Sequence, residues 1–82
     1  MHEYSLAAEI VDIALKAAGD PGRTITAVHV TVDPGSHFDG SSLTEAFELA
    51  AAGTPAAGAT LEVEMSPPGA GGVAVTAIDV AE

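Results

Sequence analysis

Residues 24–32 read TITAVHVTV, and the reading of this stretch decides the fold. Nearly all of it is β-branched. Val28, Val30 and Val32 fall on one face, while Ala27, His29 and Thr31 fall on the other. That alternation predicts a strand, over about residues 24–32, with one face in a core and one face open to water. Upstream, the period changes. Ser5, Glu9, Asp12 and Lys16 recur at steps of four, three and four, opposite Leu6, Ile10, Ile13, Ala14 and Ala17. This predicts an amphipathic helix over about residues 4–18, with Asp12 and Lys16 in the favourable i,i+4 order. Gly19 stops it, and Asp20-Pro21-Gly22 reads as loop.

Downstream, DPGSHFDG (33–40) is turn-rich and SSLTEAFELAAAG (41–53) is helical again. Ser42 and Glu45 have capping-box spacing, and Asp39 is an equally good N-cap. Leu43, Ala46, Phe47 and Ala50 make the apolar face of this second helix, expected over about residues 41–52, and Gly53 ends it. ATLEVEM (59–65) alternates, with Leu61, Val63 and Met65 inward and Glu62 and Glu64 outward. In VAVTAIDVAE (73–82) the alternation breaks, because Val73 and Val75 are out of phase with Ile78 and Val80. One residue too many around Thr76 and Ala77 predicts a β-bulge. These last strands are expected over about residues 59–66 and 72–81.

The order α-β-α-β-β predicts an α+β fold. A βαβ unit plus a hairpin makes a three-stranded mixed sheet with both helices on one face. The expected core is Leu6, Ile10, Ile13, Val28, Val30, Phe47, Leu61, Val63, Val75 and Ile78. At 82 residues, with no repeat, residues 1–82 form a single domain.

Twelve acidic residues face only Lys16 and Arg23, a formal net charge of −10. Phosphate backbones and anionic membranes are repelled, so nucleic acid and lipid are poor partners, while cations and basic protein surfaces are good ones. No apolar run reaches the ~20 residues of a membrane span, and the start of the chain lacks the basic and apolar regions of a signal peptide. The expectation is a cytoplasmic protein that begins at Met1, either a monomer or a weak homodimer. The absence of cysteine removes disulfides, thiolate metal sites and thiol nucleophiles.

Three histidines remain as chemistry. His29 lies on the open sheet face and reads as a solvated position. His37, in the loop with Asp39, is a weak candidate for a catalytic pair. The serines lack a nucleophile elbow, and the glycines form turns, with no phosphate-binding loop. Nothing here reads as an enzyme. His2 differs, since an imidazole beside a free amine gains nothing from packing. The Met1 amine, the His2 amide and imidazole Nδ1, and the Glu3 amide together close fused chelate rings around one ion. Deprotonated amides favour a square-planar Ni(II) or Cu(II) over Zn(II). The alternative is a chain-end residue without a role.

The opening MHEYSLAAEIVDIAL resembles the start of the HypA/HybF family of hydrogenase and urease nickel-incorporation metallochaperones, whose members begin Met-His-Glu-x-Ser-Leu. AVHVTVDPG resembles the family's first strand, FDGSSLTEAFELAAAGTPAAGATLEVE its second helix and strand, and VAVTAIDVAE its closing strand. The resemblance implies a Ni(II) carrier with Met1, His2 and Glu3 as metal ligands, no catalytic residues and no organic cofactor. Its implied partners are a nickel-binding maturation GTPase and the [NiFe] hydrogenase large subunit. One departure stands out. Where the family inserts a zinc-binding segment with two CxxC pairs, this chain has only SPPGAGG (66–72), so the resemblance implies a nickel-binding domain with no zinc. A rival reading is a metal-free module that docks on hydrogenase or its maturation proteins.

Overall fold

The computed structural model describes residues 2–19, 23–33, 40–67, 69 and 72–81, with side chains from residue 4 onward except residue 40. Five elements follow in the expected order: α1 (His2–Ala18), β1 (Ile25–Val32), α2 (Gly40–Ala51), β2 (Thr60–Met65) and β3 (Val73–Val80). α1 starts two residues earlier than its periodicity indicates. It ends at Gly19, whose φ of 84° is open to glycine at no steric cost. Ser42 lies inside α2 and so does not cap it; Asp39 lies outside the described residues.

The sheet order is β2-β1-β3, with β1 parallel to β2 and antiparallel to β3. This corrects the expected hairpin, because β3 pairs with β1 and not with β2. The connector of residues 66–72 is far longer than a two-residue hairpin turn needs. It has to cross the end of β1, two strand spacings or roughly 10 Å. Backbone bonds pin both its ends there. The Ser66 N–H donates to Val32 O at 2.9 Å, and the Asp33 N–H donates to Gly72 O at 3.0 Å.

Both helices cover the same face, α1 against β1 and β3, and α2 against β2 and α1. The core is one cluster of Ala7, Ile10, Val11 and Ala14 from α1, Ile25, Val28, Val30 and Val32 from β1, and Leu43, Ala46, Phe47 and Ala51 from α2, joined by Ala56, Ala59 and Leu61. Of the expected core residues, Leu6, Val63, Val75 and Ile78 pack against this cluster but are only partly buried. Ile13 is 44% exposed, against expectation. The buried stripe centres on Ala7, Ile10, Val11 and Ala14, and Ile13 lies about 110° round the helix from that centre. Met65, also expected inward, is 63% exposed. Cover fades along β2, from Leu61 at 8% through half-buried Val63 to Met65, so its last turnward residue runs beyond the helices.

The bulge is where the broken alternation puts it. Val28 faces Ile78 and His29 faces Ala77, but Val30 faces Val75, leaving Thr76 as the extra residue. A second shift on β1 leaves Thr26 extra between the pairs Ile25–Val80 and Ala27–Asp79. The two insertions, one per strand, cancel each other. They keep Val73, Val75, Ile78 and Val80 on the helix side, and they bury Ile25 although it is out of phase with Val28. Each bulged threonine ties itself across the ladder. Thr76 Oγ1 donates to His29 O and Thr26 Oγ1 donates to Asp79 O, both at 3.2 Å.

Candidate functional site

The Met-His-Glu motif sits at the leading end of α1. Met1 lies outside the described residues, as do the side chains of His2 and Glu3; their backbone opens the helix. The expectation that His2 precedes the helix is therefore corrected: it is the first helical residue. The position has a chemical consequence. The first four N–H groups of an α-helix lack an intrahelical acceptor, so the His2 and Glu3 amides are not tied into the helix ladder. Behind them, Ala7, Ile10, Val11 and Ala14 fasten α1 to the core, while Tyr4 and Ser5 are exposed. The described backbone of His2 and Glu3 is thus the first turn of a helix that its own apolar stripe fastens to the core.

A second group of titratable residues lies on the open face. Register places His29 beside Glu62 and Thr31 beside Glu64. His29 Nε2 meets Asp79 Oδ2 at 2.9 Å, with the two side chains 37% and 62% exposed. The hydrogen bond to Asp79 holds the imidazole pKa above its usual value. The charges of Asp79, Glu62 and Glu64 add to this, and partial burial opposes it. His29 is thus not the freely solvated position that its phase implies. Asp79 escaped sequence reasoning because the bulge at Thr76 sets where it lands; the broken alternation was the one signal of it. His37 and Asp39, the weak catalytic pair, lie outside the described residues.

Among the described residues no group of three or more His, Asp or Glu side chains is placed to hold a metal ion. The chain contains no cysteine, so it carries no thiolate zinc site. No helix among the described residues is long and apolar enough to cross a membrane.

The model of the family described as "Hydrogenase/urease nickel incorporation, metallochaperone, hypA" matches residues 1–71. The hydrogenase maturation factor HypA of Chloroflexus aurantiacus (strain ATCC 29366 / DSM 635 / J-10-fl) is 43% identical over 68 residues, which cover 82% of this chain and 60% of that protein. Its counterpart in Roseiflexus sp. (strain RS-1) is 40% identical over 68 residues, 55% of its length. That of Thermomicrobium roseum is 37% identical over 68 residues, 52% of its length. The matched segment therefore spans little more than half of these relatives. The family's description is that of metallochaperones, which are carriers and not enzymes. With its family match running from the Met-His-Glu motif to residue 71, this chain belongs to the HypA family of hydrogenase and urease nickel-incorporation metallochaperones.

Proposed function

We propose that this protein is a zinc-less nickel carrier that binds Ni(II) through its first three residues and delivers it during maturation of [NiFe] hydrogenase. Met1 supplies the amine, His2 its amide and imidazole, and Glu3 its amide, with the Glu3 carboxylate adding negative charge nearby. The observation that carries the reading is the Met-His-Glu motif at the start of a family match over residues 1–71, set on helix amides that owe no bond to the ladder. Delivery suits such a site, since ligands at a helix tip can be approached by an acceptor without opening the core. The donors and recipients fitting this role are a nickel-binding maturation GTPase and the hydrogenase large subunit, met in the cytoplasm.

Calorimetry with Ni(II), on protein carrying a free and untagged Met1, tests this. His2→Ala abolishes binding, and one Gly inserted before Met1 does nearly the same damage, because it moves the amine away from the imidazole. Far-UV circular dichroism stays unchanged, since Ala suits a first helical turn at least as well as His. His29→Ala and His37→Ala leave binding intact. Undiminished affinity in His2→Ala, or loss in His29→Ala, rejects the site and favours the metal-free docking module.

A further inference from the structure

β2 is an edge strand whose outer side is unpaired among the described residues. Its polarity follows from one bond. Ser66 N–H donates inward to Val32 O, so by the two-residue period the even-numbered residues of β2 turn their backbone groups toward β1. Leu61, Val63 and Met65 then turn their N–H and C=O groups outward. The same strand presents two different side-chain faces. On the helix side, half-buried Val63 and exposed Met65 form an apolar strip that neither helix fully covers. On the open side stand exposed Glu62 and Glu64, beside His29 and Thr31. The opposite edge, β3, is broken by the bulge at Thr76, which makes it a poor template for pairing.

We infer that the β2 edge accepts an extended segment of a partner protein in which basic residues alternate with apolar ones, added to the sheet as a fourth strand. Backbone bonds run to Leu61, Val63 and Met65, apolar side chains pack on Val63 and Met65, and Lys or Arg side chains meet Glu62 and Glu64. Charge selects the occupant. Pairing with a second copy about Val63 sets Glu62 opposite the partner's Glu64 and brings together two chains of net charge −10, which disfavours it. Because the chain's own cations are only Lys16 and Arg23, the matching strand has to come from elsewhere.

The test uses the full chain and a blocked hexapeptide of alternating Lys and Val, followed by NMR titration and amide hydrogen exchange. The Leu61, Val63 and Met65 amides gain protection on binding, while the ladder amides of Glu62 and Glu64 do not change. Glu62→Lys with Glu64→Lys weakens binding by about tenfold or more, since two attractive pairs become repulsive. The same charge change on α2, Glu45→Lys with Glu48→Lys, weakens it by no more than about threefold through long-range charge alone. Val63→Pro removes an outward donor and no ladder bond, and also lowers affinity. If both charge reversals weaken binding equally, or the outward amides gain no protection, attraction is diffuse and the edge site is rejected. If adding the peptide shifts no β2 signals while ultracentrifugation shows the protein as a dimer, the occupant is a second copy and the inference is likewise overturned.

Discussion

Phe47 offers the sharpest check on the core. Among the described residues it is the largest fully buried side chain, 1% exposed, on the face of α2 that meets α1 and the sheet. Leu49, two residues along the same helix, is 70% exposed. Truncating Phe47 to Ala removes a ring from a cluster otherwise made of Val, Ile, Leu and Ala, and costs about 3–5 kcal/mol. A domain of this size has a total stability of roughly 4–12 kcal/mol, so the loss takes a large part of it. In urea, with a slope near ~1 kcal/mol/M for a small domain, the midpoint falls by about 3–5 M, and in the weaker case the chain is unfolded in buffer. Phe47→Leu fills most of the site and costs only about 1–1.5 kcal/mol, which keeps the comparison measurable. Leu49→Ala changes stability by less than ~0.5 kcal/mol. Urea unfolding of the four proteins, followed by circular dichroism with slopes held common, decides it. A cost for Phe47→Ala near that of Leu49→Ala refutes the single core shared by α1, α2 and the sheet.

Three more outcomes are expected. His29 has a folded pKa raised above its unfolded value, so its pairing with Asp79 stabilises the fold fully below the unfolded pKa, and this is lost as pH rises through the folded pKa; Asp79→Asn flattens that slope and lowers the His29 pKa in an NMR titration. Deleting Thr76 forces either Val73 and Val75 or Ile78 and Val80 off the core face, at a cost of roughly 2 kcal/mol in denaturant unfolding, whereas Thr76→Ala keeps the register and loses only one exposed hydrogen bond. Ni(II) affinity measured by calorimetry falls as pH is lowered, since protons compete for the amine, imidazole and amide nitrogens; an affinity independent of pH rejects the amide ligands.

Much of the fold was legible because its periods are clean. The valines of β1, the alternation of β2 and the apolar face of α2 each point to one element type, and the slipped phase around Thr76 announces a bulge. Pair partners were less legible. A strand's own sequence states which side faces the core but not which neighbour it joins; the register of β3 on β1, with residues 66 and 72 pinned to the end of β1, shows that β3 crosses over. Ile13 and Met65 misled for a related reason. Hydrophobicity marks what a helix or strand can bury, while the reach of the covering elements sets what it does bury. The second bulge, at Thr26, left only one trace, Ile25 falling out of phase with Val28, and a single off-phase residue at a strand's end does not by itself declare a bulge.

The start of α1 at His2 bears on which ion suits the motif. A helix N-terminus carries the equivalent of roughly half a positive charge, which opposes a bare cation placed on its axis. Imidazole and carboxylate ligation alone leaves most of the charge of a divalent ion facing that dipole. Ligation through the two amides does not. Each amide nitrogen that binds Ni(II) first gives up its proton, so two amides cancel the ion's two charges, while the amine and imidazole bind as neutral donors. The resulting centre carries no net charge against the dipole. Zn(II), which lacks the d-electron preference for strong-field planar donors, does not drive amide deprotonation and keeps its charge. On the proposed ligand set, the helix end that would repel a hard divalent ion therefore discriminates in favour of Ni(II) or Cu(II) over Zn(II), and the selectivity lies in backbone atoms as much as in the His2 side chain.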